Sequence, residues 1–354
     1  WTYAHQLDGR RSGSGEVNIG GGRRRGSVAV RGIELTPEEP TEDVVALGRR
    51  AAEAGFDVAF ASCHYNNRDP FPALDRLAAA TDDLLVGTGV ANPYETHPVT
   101  LASRLATLQE ATGGRAAFGI GAGDRSTLSN LGIERDRPLR RVLETIRVAR
   151  SLWAGERVDH DGTFVARDAG LNYAVDPLPV YVGAQGPDML RMAGKHGDGV
   201  LVNAAHPADV AWAADRVEEG AGERADGHQP TVLAYASVSV ADDAAAAREA
   251  ARPPVAFIAA GAPEQVLARH DLDARRAGRI GELIGAGRFG EAFEAVTDPM
   301  LDAFAVAGTV EDVAGRFDAL AEHVDGVVAA SPLGPDRETG VTLLADAFDR
   351  SGPG

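Results

Sequence analysis

Three short apolar runs decide the fold: FDVAFA at residues 56–61, LLVGT at 84–88 and AAFGI at 116–120. Amphipathic segments suited to helices precede the first run at 41–54 and the third at 99–111. Short apolar runs that alternate with helical segments are typical of parallel strands covered by helices. The stretch therefore predicts repeated strand–helix units rather than a sheet built from hairpins.

The same alternation continues along the rest of the chain. Strands are predicted at 28–35, 56–61, 84–88, 116–120, 179–183, 199–202, 232–240 and 326–331. Eight such units without a break in composition favour an α/β protein with a closed (β/α)8 TIM barrel over an open sheet. Residues 28–354 would form this one domain, with a hairpin insertion at about 156–175 and a helical insertion at about 242–322.

Residues 1–27 differ from the rest because they are rich in Gly, Ser and Arg and show no apolar periodicity. We predict a disordered basic tail there. The arginines are not followed by the apolar stretch of a secretory signal, and no apolar run is long enough to span a membrane. Cys63 is the only cysteine, which excludes an internal disulfide, and a cytoplasmic location is expected.

The charge balance is strongly acidic: 52 Asp and Glu face 35 Lys and Arg, for a net charge of −17. Lys195 is the single lysine. Acidity spread over many helices is typical of proteins from a salt-rich, halophilic cytoplasm, where salt screens self-repulsion. An ordinary acidic enzyme from a GC-rich genome is the alternative. Nucleic-acid binding is not expected, because no basic stripe follows the tail.

A parallel barrel binds its ligands at the carboxyl ends of its strands. The residues that follow the predicted strands are Glu34, Cys63-His64, 89–93, 121–124, 183–187, Asn203 and Ser331-Pro332. They are rich in Gly, Asn and acidic side chains, which suits a mouth for a flat, phosphorylated ligand.

Glu34 lies in the apolar context Gly32-Ile33-Glu34-Leu35. A carboxylate is costly to bury unless it is paired or functional, and desolvation would raise its pKa toward that of a general acid. The alternative is a solvated glutamate at the end of a strand.

Two glycine-rich stretches follow strands. Residues 119–124 end in Asp124, which is either a second acid of the site or the cap of the next helix. The stretch lacks the third glycine of a dinucleotide motif, because Ser126 stands there. Residues 183–187 open a helix and could present N–H groups to a phosphate, or form an ordinary turn. The histidines show no metal-ligand spacing, and we expect no metal.

Together these motifs resemble the coenzyme F420-dependent methylenetetrahydromethanopterin reductases of the bacterial-luciferase-like superfamily. The resemblance rests on their order over residues 31–336. The stretches are Gly32–Leu35, His64–Asn67, Thr88–Tyr94 with His97-Pro98, Gly119–Asp124, Tyr181–Pro187, Asp198–Ala204, Pro254–Ile258 and Ser331–Asp336.

The resemblance implies hydride transfer from a reduced deazaflavin to the methylene group of a tetrahydropterin, giving a methyl group. Glu34 would be the acid on the pterin nitrogen, with Asp124 as the supporting carboxylate, and Gly89-Val90 would be a non-prolyl cis peptide behind the deazaflavin. A homodimer or homotetramer is implied as well. The cofactor site would comprise His64, Gly89, Val90, Asn92, Gly121, Gly123, Gly183, Ala184, Gln185, Gly186, Pro187 and Asn203.

This chain departs from the family pattern in three places. Cys63-His64 stands where the family usually has Asp-His, and the segment between Leu131 and Leu139 is short. Glu144 is only a candidate for a further family glutamate. Because the composition indicates a halophile rather than a methanogen, the carrier is either tetrahydromethanopterin or tetrahydrofolate.

Other functions fit the same barrel. One is an FMN-dependent monooxygenase, or a deazaflavin dehydrogenase acting on another substrate. A third reading, from a different class, is a non-catalytic barrel that carries a cofactor.

Overall fold

Eight parallel strands close into a barrel in the computed structural model, which describes residues 28–352. The predicted tail at 1–27 lies outside the described residues. The strands are β1 (Val30–Leu35), β2 (Val58–Ala61), β3 (Leu85–Thr88), β4 (Ala116–Ile120), β5 (Val158–Asp161), β6 (Val165–Ala169), β7 (Val180–Ala184), β8 (Gly199–Val202), β9 (Thr231–Val240), β10 (Ala305–Gly308) and β11 (Gly326–Leu333). The helices are α1 (Thr41–Glu53), α2 (Pro70–Ala79), α3 (Pro98–Ala111), α4 (Arg125–Asn130), α5 (Pro138–Trp153), α6 (Pro187–His196), α7 (Pro207–Ala221), α8 (Ala244–Gly261), α9 (Glu264–Arg269), α10 (Ala274–Gly285), α11 (Phe289–Glu294), α12 (Asp298–Phe304), α13 (Val310–Ala321) and α14 (Arg337–Arg350).

The ring of the barrel runs β1, β2, β3, β4, β7, β8, β9 and β11, and β11 pairs with β1 to close it. This confirms the predicted (β/α)8 barrel, and every predicted strand lies within two residues of its observed bounds. The predicted fifth strand is β7, since β5 and β6 form a separate antiparallel hairpin. The carboxyl ends of the eight strands therefore meet at one mouth.

Aromatic rings fill the lower part of the barrel. Phe60 and Tyr181 pack edge to face with ring centroids 5.5 Å apart. A Cβ at Gly199 would lie 2.2 Å from the Tyr181 ring, so only glycine leaves room for this tyrosine. These rings fill part of the barrel interior below the mouth, where barrels of this kind bind their ligands.

The outer helices cover the barrel with buried apolar side chains. Proline opens several of them, which costs no hydrogen bond because the first N–H groups of a helix have no partner within it. Proline occupies the first turn of α2, α3, α5, α6, α7 and α12. The short helix α4 and the final helix α14 were not among the helices that the sequence predicts.

The insertion between β9 and β11 is not entirely helical, in contrast to the prediction for 242–322. It contains β10, which pairs in parallel with Ser237–Val240 of β9. Since β8 pairs with β9 only as far as Ala234, β10 occupies the edge that β8 leaves open. This strand begins directly after α12, which ends at Phe304, so no turn residue marks its start in the sequence.

A buried carboxylate fastens the insertion to the barrel. Asp209 of α7 accepts hydrogen bonds from Arg269, and from His270 Nε2 at 2.6 Å. Helices α8 to α12 otherwise enclose an apolar core of their own. The insertion is therefore held on one side of the barrel by Asp209 and by the pairing of β10 with β9.

Candidate active site

Glu34 lies at the mouth end of β1, half-buried, with its side chain turned into the barrel. Its Oε2 accepts a hydrogen bond from the Ser331 N–H at 3.4 Å. Burial raises the pKa of Glu34 to about 7, although the Ser331 N–H and the nearby hydroxyls of Tyr235 and Ser62 oppose this shift. At neutral pH a large share of Glu34 carries a proton, as a general acid requires.

Two polar neighbours of Glu34 were missed at the level of sequence. Tyr235 of β9 contacts the carboxyl group through its hydroxyl, and burial raises the pKa of that phenol well above its usual value. Ser62 is 3% exposed, and within the described residues its Oγ has no partner at standard hydrogen-bond geometry, although it lies close enough to lower the pKa of Glu34. The sequence offered only a weak signal for Tyr235. Leu233, Tyr235 and Ser237 alternate with alanine, and this alternation places Tyr235 and Ser237 on the same face of the strand.

The peptide bond between Gly89 and Val90 is cis, at the position that the family resemblance implies. A Cβ at Gly89 would lie 2.7 Å from Phe60 Cβ and 2.9 Å from the Tyr235 hydroxyl. This loop therefore sits directly on the side chains that fill the barrel.

The side chain of Val90 packs against two of the glycines predicted to bind the cofactor, Gly121 and Gly183. A Cβ at Gly121 would lie 2.6 Å from Val90 Cγ2, and one at Gly183 would lie 3.2 Å from Val90 Cγ1. The lack of a side chain at these two glycines thus makes room for Val90. A cofactor would meet the resulting apolar wall, which the Val90 side chain and the backbone of two strand ends form together.

Asn92 serves its own loop. Its Oδ1 accepts hydrogen bonds from the N–H groups of Tyr94 and Glu95, and its Nδ2 donates to Glu95 Oε1 at 2.8 Å. Asn92 is nearly fully buried. In the structure Asn92 therefore fixes the loop after β3, and its contact with the cofactor stays a prediction.

Asp124 caps a helix in the structure, which is one of its two predicted roles, and its part in the reaction stays a prediction. Its Oδ1 accepts hydrogen bonds from the Thr127 N–H at 2.9 Å and from the hydroxyls of Ser126 and Thr127, at the start of α4. Partial burial raises the pKa of Asp124, but these bonds outweigh it, and the pKa lies below its usual value. Asp124 is exposed and ionised, so it is no proton donor at neutral pH. Gly123 precedes it with a positive φ of 72°.

The loop after β7 leads into α6. Gly186 is the residue before this helix, Pro187 is its first residue, and no side chain caps the helix. Ala184 is buried, whereas Gln185, Gly186 and Pro187 are exposed. This arrangement keeps the first free N–H groups of a ten-residue helix available to an anion.

A cavity of 300 Å³ opens beside the mouth, between the loops that follow β2 and β3. His64 lies on its rim and is exposed, while burial, with the nearby Asp69 and Glu95, raises the pKa of the Cys63 thiol. Cys63 is therefore a neutral thiol at neutral pH. The cavity is lined by Cys63, His64, Tyr65, Asn67, Asp69, Pro70, Phe71, Ala91, Asn92, Glu95, Thr96, Leu101 and Arg104.

Asn203 and Glu144 complete the set of candidates. Asn203 follows β8 directly and is exposed. Glu144 of α5 accepts hydrogen bonds from the Thr163 N–H and hydroxyl and from Arg140, and it contacts His160. Burial opposes its ionisation, but these bonds lower the pKa of Glu144 to about 2. The structure thus shows Glu144 fastening the β5–β6 hairpin to α5.

Among residues 28–352, no group of three His, Cys, Asp or Glu side chains is arranged to hold a metal ion. In the same residues, no helix is both long and apolar enough to cross a membrane.

Comparison with known proteins defines the class. A model of the luciferase-like monooxygenase family matches residues 26–325. The chain belongs to this family.

Within it, the similarity to one kind of enzyme extends over nearly the whole chain. The 5,10-methylenetetrahydromethanopterin reductase of Methanolobus tindarius is 40% identical over 88% of this chain and 97% of its own length. The enzyme of the same name from Archaeoglobus fulgidus is also 40% identical, over 88% and 96%. The structure of the coenzyme F420-dependent tetrahydromethanopterin reductase from Methanopyrus kandleri superposes with a TM-score of 0.84 at 35% identity, covering 90% of this chain and 97% of that one. The chain therefore groups with the methylenetetrahydromethanopterin reductases.

Proposed function

We propose that this protein reduces 5,10-methylenetetrahydromethanopterin to the 5-methyl compound, with coenzyme F420 as the hydride donor. The observation that carries the proposal is the buried carboxyl group of Glu34, with its raised pKa of about 7, at the mouth of a barrel whose relatives bear this name. The reaction needs a proton donor beside the hydride acceptor, and Glu34 is the acid that the mouth provides.

The residues of the mouth suit a flat deazaflavin. Val90, seated against Gly121 and Gly183, offers an apolar wall without charge. The buried Ser62 hydroxyl, which has no partner among the described residues, offers one polar contact beside Glu34. The uncapped start of α6, at Gly186-Pro187, would hold a phosphate of the cofactor tail, and the exposed His64 and Asn203 would border the mouth.

Reduced F420, when bound, supplies the hydride. The substrate carbon gains this hydride, and its bond to one pterin nitrogen breaks with the electron pair remaining on nitrogen. Glu34 donates the proton that this nitrogen takes, and it is left as a carboxylate. The Ser331 N–H and the hydroxyl of Tyr235 stabilise that charge by hydrogen bonds.

A binding and turnover panel tests the proposal. Purified protein in high salt is titrated with F420 and with FMN, and oxidation of reduced F420 is then followed with methylenetetrahydromethanopterin or with methylenetetrahydrofolate. We expect F420 binding and turnover with the methanopterin. Turnover with folate alone would reassign the carrier. Tight FMN binding without F420 affinity would favour the monooxygenase alternative, and binding of F420 without turnover would favour the cofactor-carrier reading.

The acidic composition still predicts a halophilic, cytoplasmic enzyme, and we expect a homodimer or homotetramer. Light scattering at several salt concentrations would measure the oligomer, and thermal unfolding at those concentrations would test the salt requirement.

A further inference from the structure

The hydroxyl of Tyr235 lies between two hydrogen-bond acceptors. One is the carboxylate of Glu34, and the other is the carbonyl oxygen of Gly89, 3.4 Å away. Gly89 belongs to the cis peptide at the barrel mouth. The phenol therefore connects the acid of the site to the backbone wall on which a ligand would rest.

A phenolic hydroxyl has only one proton to donate. When Glu34 is ionised, its carboxylate is the stronger acceptor, because hydrogen bonds to charged groups are stronger than those to neutral carbonyls. When Glu34 is protonated, it can itself donate to the phenol oxygen, and the hydroxyl proton of Tyr235 is then free for Gly89. The orientation of this hydroxyl thus depends on the protonation state of Glu34.

We propose that Tyr235 is a positioning residue for proton donation by Glu34, turning its hydroxyl from the Gly89 carbonyl to the carboxylate as Glu34 loses its proton. The inference rests on the proposed function, because it assigns a supporting group to the same acid.

Packing holds Tyr235 in this place. The space between Phe60 and the phenol is so tight that Gly89 has no room for a side chain. Two residues further along β9, Ser237 Oγ donates to the carbonyl of Ser331 at 2.9 Å, which ties β9 to the strand whose N–H binds Glu34. The phenol ring is therefore held in place, and only the hydroxyl hydrogen changes position, by rotation about the C–O bond.

Few other titratable groups act on this pair. On the β1 side, Glu38 disfavours the charged form of Glu34, and on the β2 side Cys63 acts on Tyr235. The remaining contacts are the neutral Ser62 hydroxyl and the Ser331 N–H. Removal of the Tyr235 hydroxyl should therefore be visible in the titration of Glu34.

The test compares Tyr235→Phe with Tyr181→Phe, a matched loss of a buried hydroxyl in the lower barrel. Infrared titration of the cofactor-free protein would follow the carbonyl stretch of protonated Glu34, with Glu34→Gln subtracted to remove all other carboxyl groups. We expect Tyr235→Phe to raise the midpoint by about one pH unit, since the carboxylate loses a hydrogen bond. Tyr181→Phe should leave the midpoint unchanged.

Single-turnover oxidation of reduced F420 gives the second readout. Tyr235→Phe should slow it by about tenfold to hundredfold, with KM for the methylene-pterin nearly unchanged. Equal midpoints in wild type and Tyr235→Phe would overturn the inference, and so would an unchanged single-turnover rate. If wild type itself shows no turnover, the proposed function fails, whereas the infrared titration still decides whether Tyr235 governs the protonation of Glu34.

Discussion

The mouth ends of β1 and β4 carry one carboxylate each, and the two behave in opposite ways. Glu34 is turned into the barrel, and burial raises its pKa to about 7. Asp124 stands at the start of α4, where hydrogen bonds from Ser126 and Thr127 hold its pKa below the usual value. Both positions follow apolar strand residues and both looked like site acids in the sequence. The direction of the side chain, rather than its place at a strand end, therefore decides which carboxylate can donate a proton.

The largest expected effect is the loss of turnover in Glu34→Gln. Glutamine keeps the shape but cannot donate a proton, so we expect kcat to fall by about 10² to 10⁴. The measurement is F420-dependent turnover at about pH 6.5, just below the pKa of about 7 of Glu34. The matched control is Glu39→Gln on the exposed loop after β1, which should keep wild-type activity. Equal loss in both variants would remove the contrast between Glu34 and an ordinary surface acid.

The same substitution, Glu34→Gln, should increase the free energy of unfolding although it lowers turnover. The folded-state pKa of Glu34 lies above its unfolded value of 4.5, so folding favours the proton and the ionised form is destabilised. Glu34→Gln should therefore be as stable as wild type below about pH 4.5 and more stable by about 3 kcal/mol at about pH 8, with the gain developing up to the folded pKa near 7. Urea unfolding at the two pH values measures it. A gain that is already complete in acid would contradict the assignment.

The pH profile of turnover sharpens the same point. Because the acid must be protonated in the free enzyme, kcat/KM should be flat below pH about 7 and fall roughly tenfold for each pH unit above it. Asp124→Asn should keep this midpoint. If the midpoint of the fall in kcat/KM were shifted in Asp124→Asn, Asp124 would be part of the titrating system.

The smallest effect is expected at Asp124. Asp124→Ala removes the cap of α4 and should lower the free energy of unfolding by about 1 kcal/mol, whereas Asp124→Asn, also a good cap, should cost only a few tenths. Turnover in Asp124→Asn should stay within about threefold of wild type. A loss as large as that of Glu34→Gln would show that the carboxylate itself takes part in the reaction, as the supporting role would require.

Several site features could be predicted from sequence because they depend on local order. Examples are a glutamate among apolar strand residues and a proline at the start of a helix. Both can be interpreted from the few residues that surround them in the sequence. Tyr235 could not be assigned in this way, since its partner Glu34 lies about two hundred residues earlier, and only closure of the barrel brings β9 beside it through β11. Gly121 and Gly183 likewise indicated close approach, but not that Val90 would fill the space.

The sequence by itself determined the barrel, the order of its strands and the place of its mouth, because alternating apolar runs can be buried in only a few ways. The family also followed from the ordered motifs. The tertiary structure decided which polar residues act together. It turned Glu34 inward beside Tyr235 and Ser62, and it engaged Asp124, Asn92 and Glu144 in local hydrogen bonds. The physical reason is that desolvation and hydrogen bonding depend on neighbours in space, and these neighbours come from strands far apart in the chain.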